Sequence, residues 1–554
     1  MSLTQNVLAS VRTPLPTLMA QDYDLLIIGG GITGAGILRD AAMRGLTVAM
    51  VDRGDFGIGT SSRSSRLVHG GLRYLEHFQW KLVREALSER RVLLNIAPHL
   101  VHRLPFVLPS HAGDRVPRWK LAVGLGLYGL LATGGNVARP RTLGKAGVLA
   151  LEPNLRARGL RGGGVYTDAQ CDDARLVVAT IRSGVMHGGR VCNYLEVTDL
   201  TLTGNRITGV SVADRLTGGI GSIVARTVVN ATGPWTDQVR RLEDPAATPL
   251  LRLTKGSHVV VLRSRIGHRH GITFTSPIDG RVMFILPWGE HSYIGTTDTD
   301  HHGDPRHVRV DDAEMNYLLR SANAIFPHAH LGPEDVVASW AGLRPLLAGD
   351  PALPTAAVSR EHRILTGPRG MITVAGGKLT TYRLMAADAV DAVVQSLQQL
   401  HGLPSQMKRP ATDTEPLPGG ESDVWDPFLR AGLELGLTTA HVEHLLWHYG
   451  TETEGILNLI RGDRRLGDPV HPAHPAVGAE VIHAVRREFA CRVADVLVRR
   501  VHVATETSDR GVAAAAAVAA IMGREQRWTP AQVEQEVQRY TEEIGTPVLY
   551  EATG

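Results

Sequence analysis

Tyr23-Asp24-Leu25-Leu26-Ile27-Ile28-Gly29-Gly30-Gly31-Ile32-Thr33-Gly34 opens the stretch whose reading decides the fold. It runs on through Ala35–Arg44 to Gly45 and then to Leu46-Thr47-Val48-Ala49-Met50-Val51-Asp52. The continuous apolar run Tyr23–Ile28 reads as a buried strand. Three glycines break it, and Ile32–Arg44 reads as a helix that Gly45 closes. Leu46–Val51 is a second apolar strand ending at Asp52. The switch of period from strand to helix and back makes this a βαβ unit.

The turn carries G-x-G-x-x-G at Gly29, Gly31 and Gly34, in the context that gives that pattern meaning. The first glycine permits a tight turn, the second lets backbone approach a pyrophosphate, and the third lets helix pack on strand. The helix N-terminus offers free N–H groups and partial positive charge to an anion. Asp52 is placed to accept from ribose hydroxyls. FAD and NAD share this pattern. The second strand leads not into another βα unit but into Gly59–Tyr74, a Ser-, Gly- and Arg-rich loop whose hydroxyls could serve a diphosphate and a flavin edge.

Outward from this unit, residues 1–21 read as a loose leader and residues 72–97 as helical up to Pro98. Residues 175–187 read as helix, followed by short strands around 191–197, 207–212 and 223–229. Residues 250–300 read as mostly sheet and 311–325 as helix. A strand at 371–375 leads through Gly376-Gly377 into a helix reaching about Leu400. Pro404–Gly420 is rich in Pro, Gly and Thr and reads as a linker. Residues 421–554 read as all helix, with Val477, Val481, Val485, Phe489 and Val493 along one face. Taken with the resemblance set out below, these elements imply an α/β FAD-binding Rossmann-like domain, an interleaved antiparallel β-rich substrate domain and a C-terminal all-α cap. Residues 22–100, 160–250 and 335–400 are assigned to the first. Residues 101–159 and 251–334 go to the second, 401–420 to the linker and 421–554 to the cap.

The composition excludes other classes. Over 554 residues, 43% are hydrophobic and 21% charged, which is ordinary globular composition. Aromatics are 5%, too few for an extended base-stacking platform. The net charge of +4 is small for this length, so no nucleic acid is expected as partner. Three cysteines without a C-x-x-C argue against a disulfide framework and against a cysteine-based zinc site, and no metal is expected. No apolar run reaches the roughly 20 residues of a membrane span. The longest, Leu121–Ala132, has Arg115, Arg118 and Lys120 before it and Arg139, Arg141 and Lys145 after it. Basic flanks around a short apolar segment suggest contact with an anionic membrane surface.

The run Gly59–Glu76 then resembles the signature of FAD-dependent glycerol-3-phosphate dehydrogenases, within the glycine-oxidase-like flavoproteins. Asn230-Ala231-Thr232-Gly233-Pro234-Trp235, Lys255-Gly256-Ser257-His258, Gly295-Thr296-Thr297-Asp298, Ala341–Leu346, Ser359-Arg360 and Gly376–Arg383 continue the likeness in order. Pro416–Gly420 resembles the opening of that family's helical cap. The family often has Glu where this chain has Asp52.

The resemblance implies oxidation of sn-glycerol 3-phosphate to dihydroxyacetone phosphate, with electrons passed to ubiquinone or menaquinone at a membrane surface. It implies FAD held by Gly29, Gly31, Gly34, Asp52, Thr60, Ser61, Ser62, Leu67, Gly70, Gly71, Val197, Ala231, Gly233, Gly377, Lys378, Leu379 and Thr380. It implies a substrate site of Arg73, Tyr74, His258, Arg344, Arg360 and Lys378. Of these, His258, Arg344 and Lys378 are expected to be catalytic, with His258 or Arg344 acting on the C2 hydroxyl. An oxidase producing hydrogen peroxide, or an amine or 2-hydroxy-acid flavin oxidoreductase of the same fold, is the alternative. The expected location is the cytoplasmic face of the cell membrane, and a homodimer is left open.

Overall fold

The computed structural model describes residues 12–77, 79–114, 116–132, 138–349, 361–402 and 407–544. The strand Tyr23–Ile28 lies at the centre of an eight-stranded sheet, parallel to Val48–Val51 on one side and to Ile220–Asn230 on the other. Leu25 stands between Val48 and Thr227, and Leu25, Leu26 and Ile27 are fully buried. A strand covered on both faces must be apolar throughout, which is why this run shows no alternation. Arg190–Cys192 extends the sheet beyond Val48–Val51. Ile372–Gly376 and His362–Thr366 extend it beyond Ile220–Asn230. The helix Ile32–Met43 packs between Asp173–Met186 and Tyr382–His401.

The N-terminal segment departs from its expected looseness from Arg12 onward. Thr13 N–H donates to the Val191 carbonyl, and Leu15 and Leu18 of the short helix Leu15–Met19 are buried against Tyr23, Leu26 and Ala225. Two leucines three residues apart cover the otherwise open face of the sheet.

The second sheet has ten strands. One half is built on Leu251–Leu262, paired with His291–Gly295 and with Val336–Leu347. Its other half is Val101–His111 paired with Leu160–Cys171. The strands Leu160–Cys171 and Val336–Leu347 therefore lie in this sheet, whereas the sequence assigned their residues to the nucleotide-binding part. Their partners explain it, because each pairs along nearly its whole length with a long strand of the second sheet. Leu67–Val68, from the Ser-rich loop, also joins it.

Among the described residues beyond 425, the elements are helices and one hairpin of Pro469–His471 and His474–Val477. The supposed continuous face from Val477 to Val493 is two helices, Gly478–Arg487 and Val493–Arg499. The break is at Phe489, whose φ of 62° is left-handed, and which sets its ring edge-on to Phe56 at 5.5 Å. No helix among the described residues is long and apolar enough to cross a membrane.

Candidate functional site

Two cavities meet where the sheets adjoin. The first, of about 320 Å³, lies at the carboxyl ends of Tyr23–Ile28 and Val48–Val51. Gly29, at φ 106°, turns the chain there, and a Cβ on it would stand 2.7 Å from the Ala231 carbonyl oxygen. Asp52 Oδ2 accepts from Gly30 N–H at 2.7 Å and Oδ1 from Gly54 N–H at 2.8 Å. Burial pushes its pKa up to about 6, against those two donors. Ser61 Oγ accepts from Ile32 N–H, tying the Ser-rich loop to the first turn of the helix.

Of the expected cofactor residues, Gly29, Gly31, Asp52, Thr60, Ser61, Val197, Ala231, Gly233, Gly377, Lys378 and Leu379 line this cleft. Gly34 does not; it packs under the turn, where a Cβ would be 1.9 Å from the Gly29 oxygen. Leu67 and Gly71 line the second cavity instead. Gly70 backs onto Tyr128, whose hydroxyl takes its N–H at 3.0 Å. Thr380 Oγ1 accepts from His69 N–H, and Ser62 ends the turn Thr60–Ser62 without lining either cavity.

The cleft suits a flavin dinucleotide. It has an anion-binding helix start, a carboxylate at the second strand end, and apolar walls from Ile28, Val51 and Pro234. The Trp235 Nε1–H, in a residue of its wall, is buried without a partner, a donor that a polar ligand satisfies.

Directly beneath this cleft the loop after Asp52 is pinned by the C-terminal helices. Asp55 is fully buried, and its carboxylate accepts from Arg499 Nε at 2.6 Å and from Arg500 at 2.9 Å. Burial opposes its ionisation, but Arg500 and Arg499 together hold its pKa below the ordinary value.

The second cavity, about 910 Å³, is bounded by both halves of the ten-stranded sheet. Arg344 lines it. Its Nη2 donates to Thr296 Oγ1 at 2.9 Å and its Nη1 to Asp298 at 3.3 Å. Gly256 faces Arg344 across the sheet, and a Cβ there would lie 2.3 Å from Nη2. The Lys-Gly-Ser-His and Gly-x-Arg-Pro motifs are thus two sides of one packing requirement. Arg281 also lines the cavity, with Nη1 3.9 Å from Asp298 Oδ2. Lys378 stands in the first cleft with its ammonium 3.7 Å from the centre of the Tyr74 ring, which lines the second. It belongs to the wall between the cavities.

His258 lies one layer back and lines neither cavity. Its Nε2 is 2.9 Å from the hydroxyl of Ser65, which does line the second. The ring stacks on Trp340 at 5.2 Å, and its Nδ1 is buried without a partner. Burial pushes its pKa down to about 3, with Arg344 and then Arg66 adding to the effect. The imidazole is therefore neutral. A Cβ on Gly295, its cross-strand neighbour, would stand 2.1 Å from the ring.

Arg360 lies outside the described residues, and so does the side chain of Arg73. The reading of the sequence missed Arg281, although the Asp279-Gly280 turn between two apolar strands marks its hairpin. It also missed Arg66, caged by Trp288, Tyr293 and Trp340, and Ser65, the link to His258.

Residues 24–383 match the family model described as FAD dependent oxidoreductase, and residues 410–533 match that described as the C-terminal domain of alpha-glycerophosphate oxidase. The glycerol-3-phosphate dehydrogenase 2 of Mycobacterium tuberculosis is 38% identical over 544 residues, 97% of this chain and 90% of that protein. The aerobic glycerol-3-phosphate dehydrogenase of Staphylococcus aureus is 35% identical over 535 residues, 95% of this chain and 94% of that protein. Among solved structures, the glycerol-3-phosphate dehydrogenase from Bacillus halodurans complexed with FAD superposes with a TM-score of 0.79 at 31% identity, over 95% of each chain.

Proposed function

Because the chain belongs to the FAD-dependent oxidoreductases, and among them to the glycerol-3-phosphate dehydrogenase family, we propose that it oxidises sn-glycerol 3-phosphate to dihydroxyacetone phosphate. The observation that carries the reading is Arg344, a guanidinium held at the cavity wall by Thr296 and Asp298 beside the Lys378 partition. A planar fork suits a phosphate dianion, and Arg281 supplies a second cation on the same wall. When bound, FAD supplies the two-electron acceptor. The chain's own residues orient the substrate and handle its proton.

In this reading the phosphate displaces Asp298 from Arg344. The C2 hydroxyl then lies toward Ser65, and its proton passes to His258 Nε2 at the place the Ser65 hydroxyl now fills. Arg344 is one of two cations that depress the basicity of His258. A dianion bound to it offsets that effect, so substrate binding raises the proton affinity of the base. Lys378 at the partition favours negative charge developing on its cofactor side.

We assign the onward electrons to a membrane quinone. The helix Arg118–Leu131 buries Leu121, Leu125 and Tyr128, and turns outward Trp119, 71% exposed, Val123, 56%, and Leu130, 64%. Such a row, flanked by Lys120, Arg139, Arg141 and Lys145, suits a lipid surface on the cytoplasmic side. Val123 and Leu127 also line the second cavity, which supports access for an amphiphilic acceptor.

The test is anaerobic. The protein is purified in detergent with FAD, and sn-glycerol 3-phosphate is added without oxygen. Bleaching of the flavin by this compound, and not by glycerol or lactate, supports the reading; a flavin that stays oxidised sinks it. Quinone against air as reoxidant then separates dehydrogenase from oxidase. Salt washing of membranes, followed by detergent, tests the docking, and a protein with no lipid binding would refute it.

A further inference from the structure

The C-terminal helices meet the nucleotide-binding part through a buried polar layer. Some of its carboxylates face guanidinium groups: Asp55 faces Arg499 and Arg500, and Glu488 faces Arg175. Three others are bonded by imidazoles. Glu480 is 3.0 Å from His444 Nε2, Glu506 is 3.2 Å from His474 Nε2, and Asp172 is 2.6 Å from His502 Nε2. Glu480 also accepts from Val477 N–H, and Glu506 from Trp288 Nε1–H. Asp172 accepts from Arg175 N–H and alone has a second imidazole facing it, His448, with Nε2 3.8 Å from Oδ2.

The tautomer of His448 follows from its other nitrogen. Nδ1 is 2.7 Å from the His444 carbonyl oxygen, which can only accept, so Nδ1 carries the proton. Nε2 is left with a lone pair aimed at a carboxylate oxygen. It has no hydrogen-bond partner, although His448 is only 9% exposed. Two acceptors facing each other in a dry layer repel, and a positive charge between them removes the repulsion.

We propose that a divalent transition-metal ion, zinc by the donor set, binds between Asp172, His448 and His502. Their donor atoms all lie within 4.8 Å of one another. Zinc holds nitrogen and oxygen donors at about 2.0–2.2 Å in a tetrahedron, so its ligands stand roughly 3.3 Å apart. The separations of 2.6 and 3.8 Å about Asp172 bracket that distance. Two of the three ligands have the supporting contacts of metal ligands. The His444 carbonyl fixes the His448 ring, and Asp172 Oδ1 accepts from Arg175 N–H at 3.0 Å.

The three donors come from separate places: the residue capping the helix Asp173–Met186, the helix Thr439–Tyr449, and the residue capping Val503–Glu506. None of them lines either cavity. The ion is a clamp between the C-terminal helices and the nucleotide-binding part, independent of the reaction proposed above.

The experiment uses the untagged, FAD-loaded full chain, dialysed against a chelator and titrated with Zn²⁺ alone. The expected result is one tightly held ion per chain, a higher Tm, and a zinc X-ray absorption edge with only nitrogen and oxygen neighbours and the scattering signature of two imidazoles. His448→Gln and His502→Gln should each weaken binding at least a hundredfold. If either variant fails to fold, the absorption spectrum of the unmutated protein decides. No ion taken up in the Zn²⁺ titration, a spectrum without two imidazoles, or equal binding in His448→Gln would overturn the proposal.

Discussion

Gly295→Ala is the sharpest probe of where His258 sits. The new methyl would stand 2.1 Å from His258 Cδ2, 2.7 Å from Nε2 and 2.9 Å from Cγ. Carbon atoms rest about 3.5 Å apart at closest comfortable contact, so the ring must retreat by roughly 1.5 Å. It has little room, because it stacks on Trp340, which is itself set edge-on against Tyr293 at 4.9 Å. Overpacking of this kind costs about 1–3 kcal/mol. The displacement also breaks the 2.9 Å contact with Ser65 that connects the imidazole to the cavity. A misplacement near 1 Å costs on the order of 100-fold in rate. The assay has two parts. Anaerobic single-turnover reduction of bound flavin by sn-glycerol 3-phosphate should slow about 100-fold with FAD content unchanged. Denaturant unfolding of Gly295→Ala, His258→Ala and the double variant should show a coupling of about 1–3 kcal/mol, since the three atoms nearest the methyl all belong to the imidazole. Equal destabilisation in the His258→Ala background, or an unchanged reduction rate, would refute the reasoning.

Arg344→Lys keeps the charge but loses the fork to Thr296 and Asp298; KM for the substrate should rise about 10- to 100-fold in steady-state assays. Asp52→Ala removes the acceptor of the Gly30 and Gly54 N–H groups, each such charged bond being worth about 1.5–3 kcal/mol; FAD fluorescence titration should show at least tenfold weaker binding. For Glu452, burial opposes ionisation but Arg182 overcomes it and holds the pKa down at about 2. A depressed carboxyl stabilises the fold above its unfolded value and loses that contribution as pH falls. The pair should thus supply about 3 kcal/mol at neutrality, lost between roughly pH 4.5 and 2, and Glu452→Gln should flatten that part of the stability-against-pH curve.

The βαβ unit was legible because each of its devices is local. Gly29 must turn, Tyr23–Ile28 must be apolar on both faces, and Asp52 ends the next strand. The helices 175–187 and 311–325 and the strand 371–375 were legible for the same reason, periodicity over a short window. What failed depended on partners distant in the chain. Leu160–Cys171 and Val336–Leu347 look like strands of either sheet, and only pairing decides. Phe489 continues a four-residue spacing perfectly, yet the chain turns there to deliver its ring to Phe56. At the site, motif order selected Arg344 and Lys378. It could not reveal that His258 stands behind Ser65, or that Arg281 comes round a hairpin to face Asp298.

The Asp55 carboxylate has a consequence for how the protein is made. Its only guanidinium partners among the described residues, Arg499 and Arg500, lie 444 and 445 positions downstream. Breaking such a buried pairing costs about 3–5 kcal/mol. While the ribosome still holds those arginines, the loop after Asp52 lacks both cations that compensate its carboxylate. The pocket for the dinucleotide is therefore encoded first and finished last. A chain cut short of Arg499 would keep every nucleotide-binding motif and lose the pairing that fixes the loop beneath them.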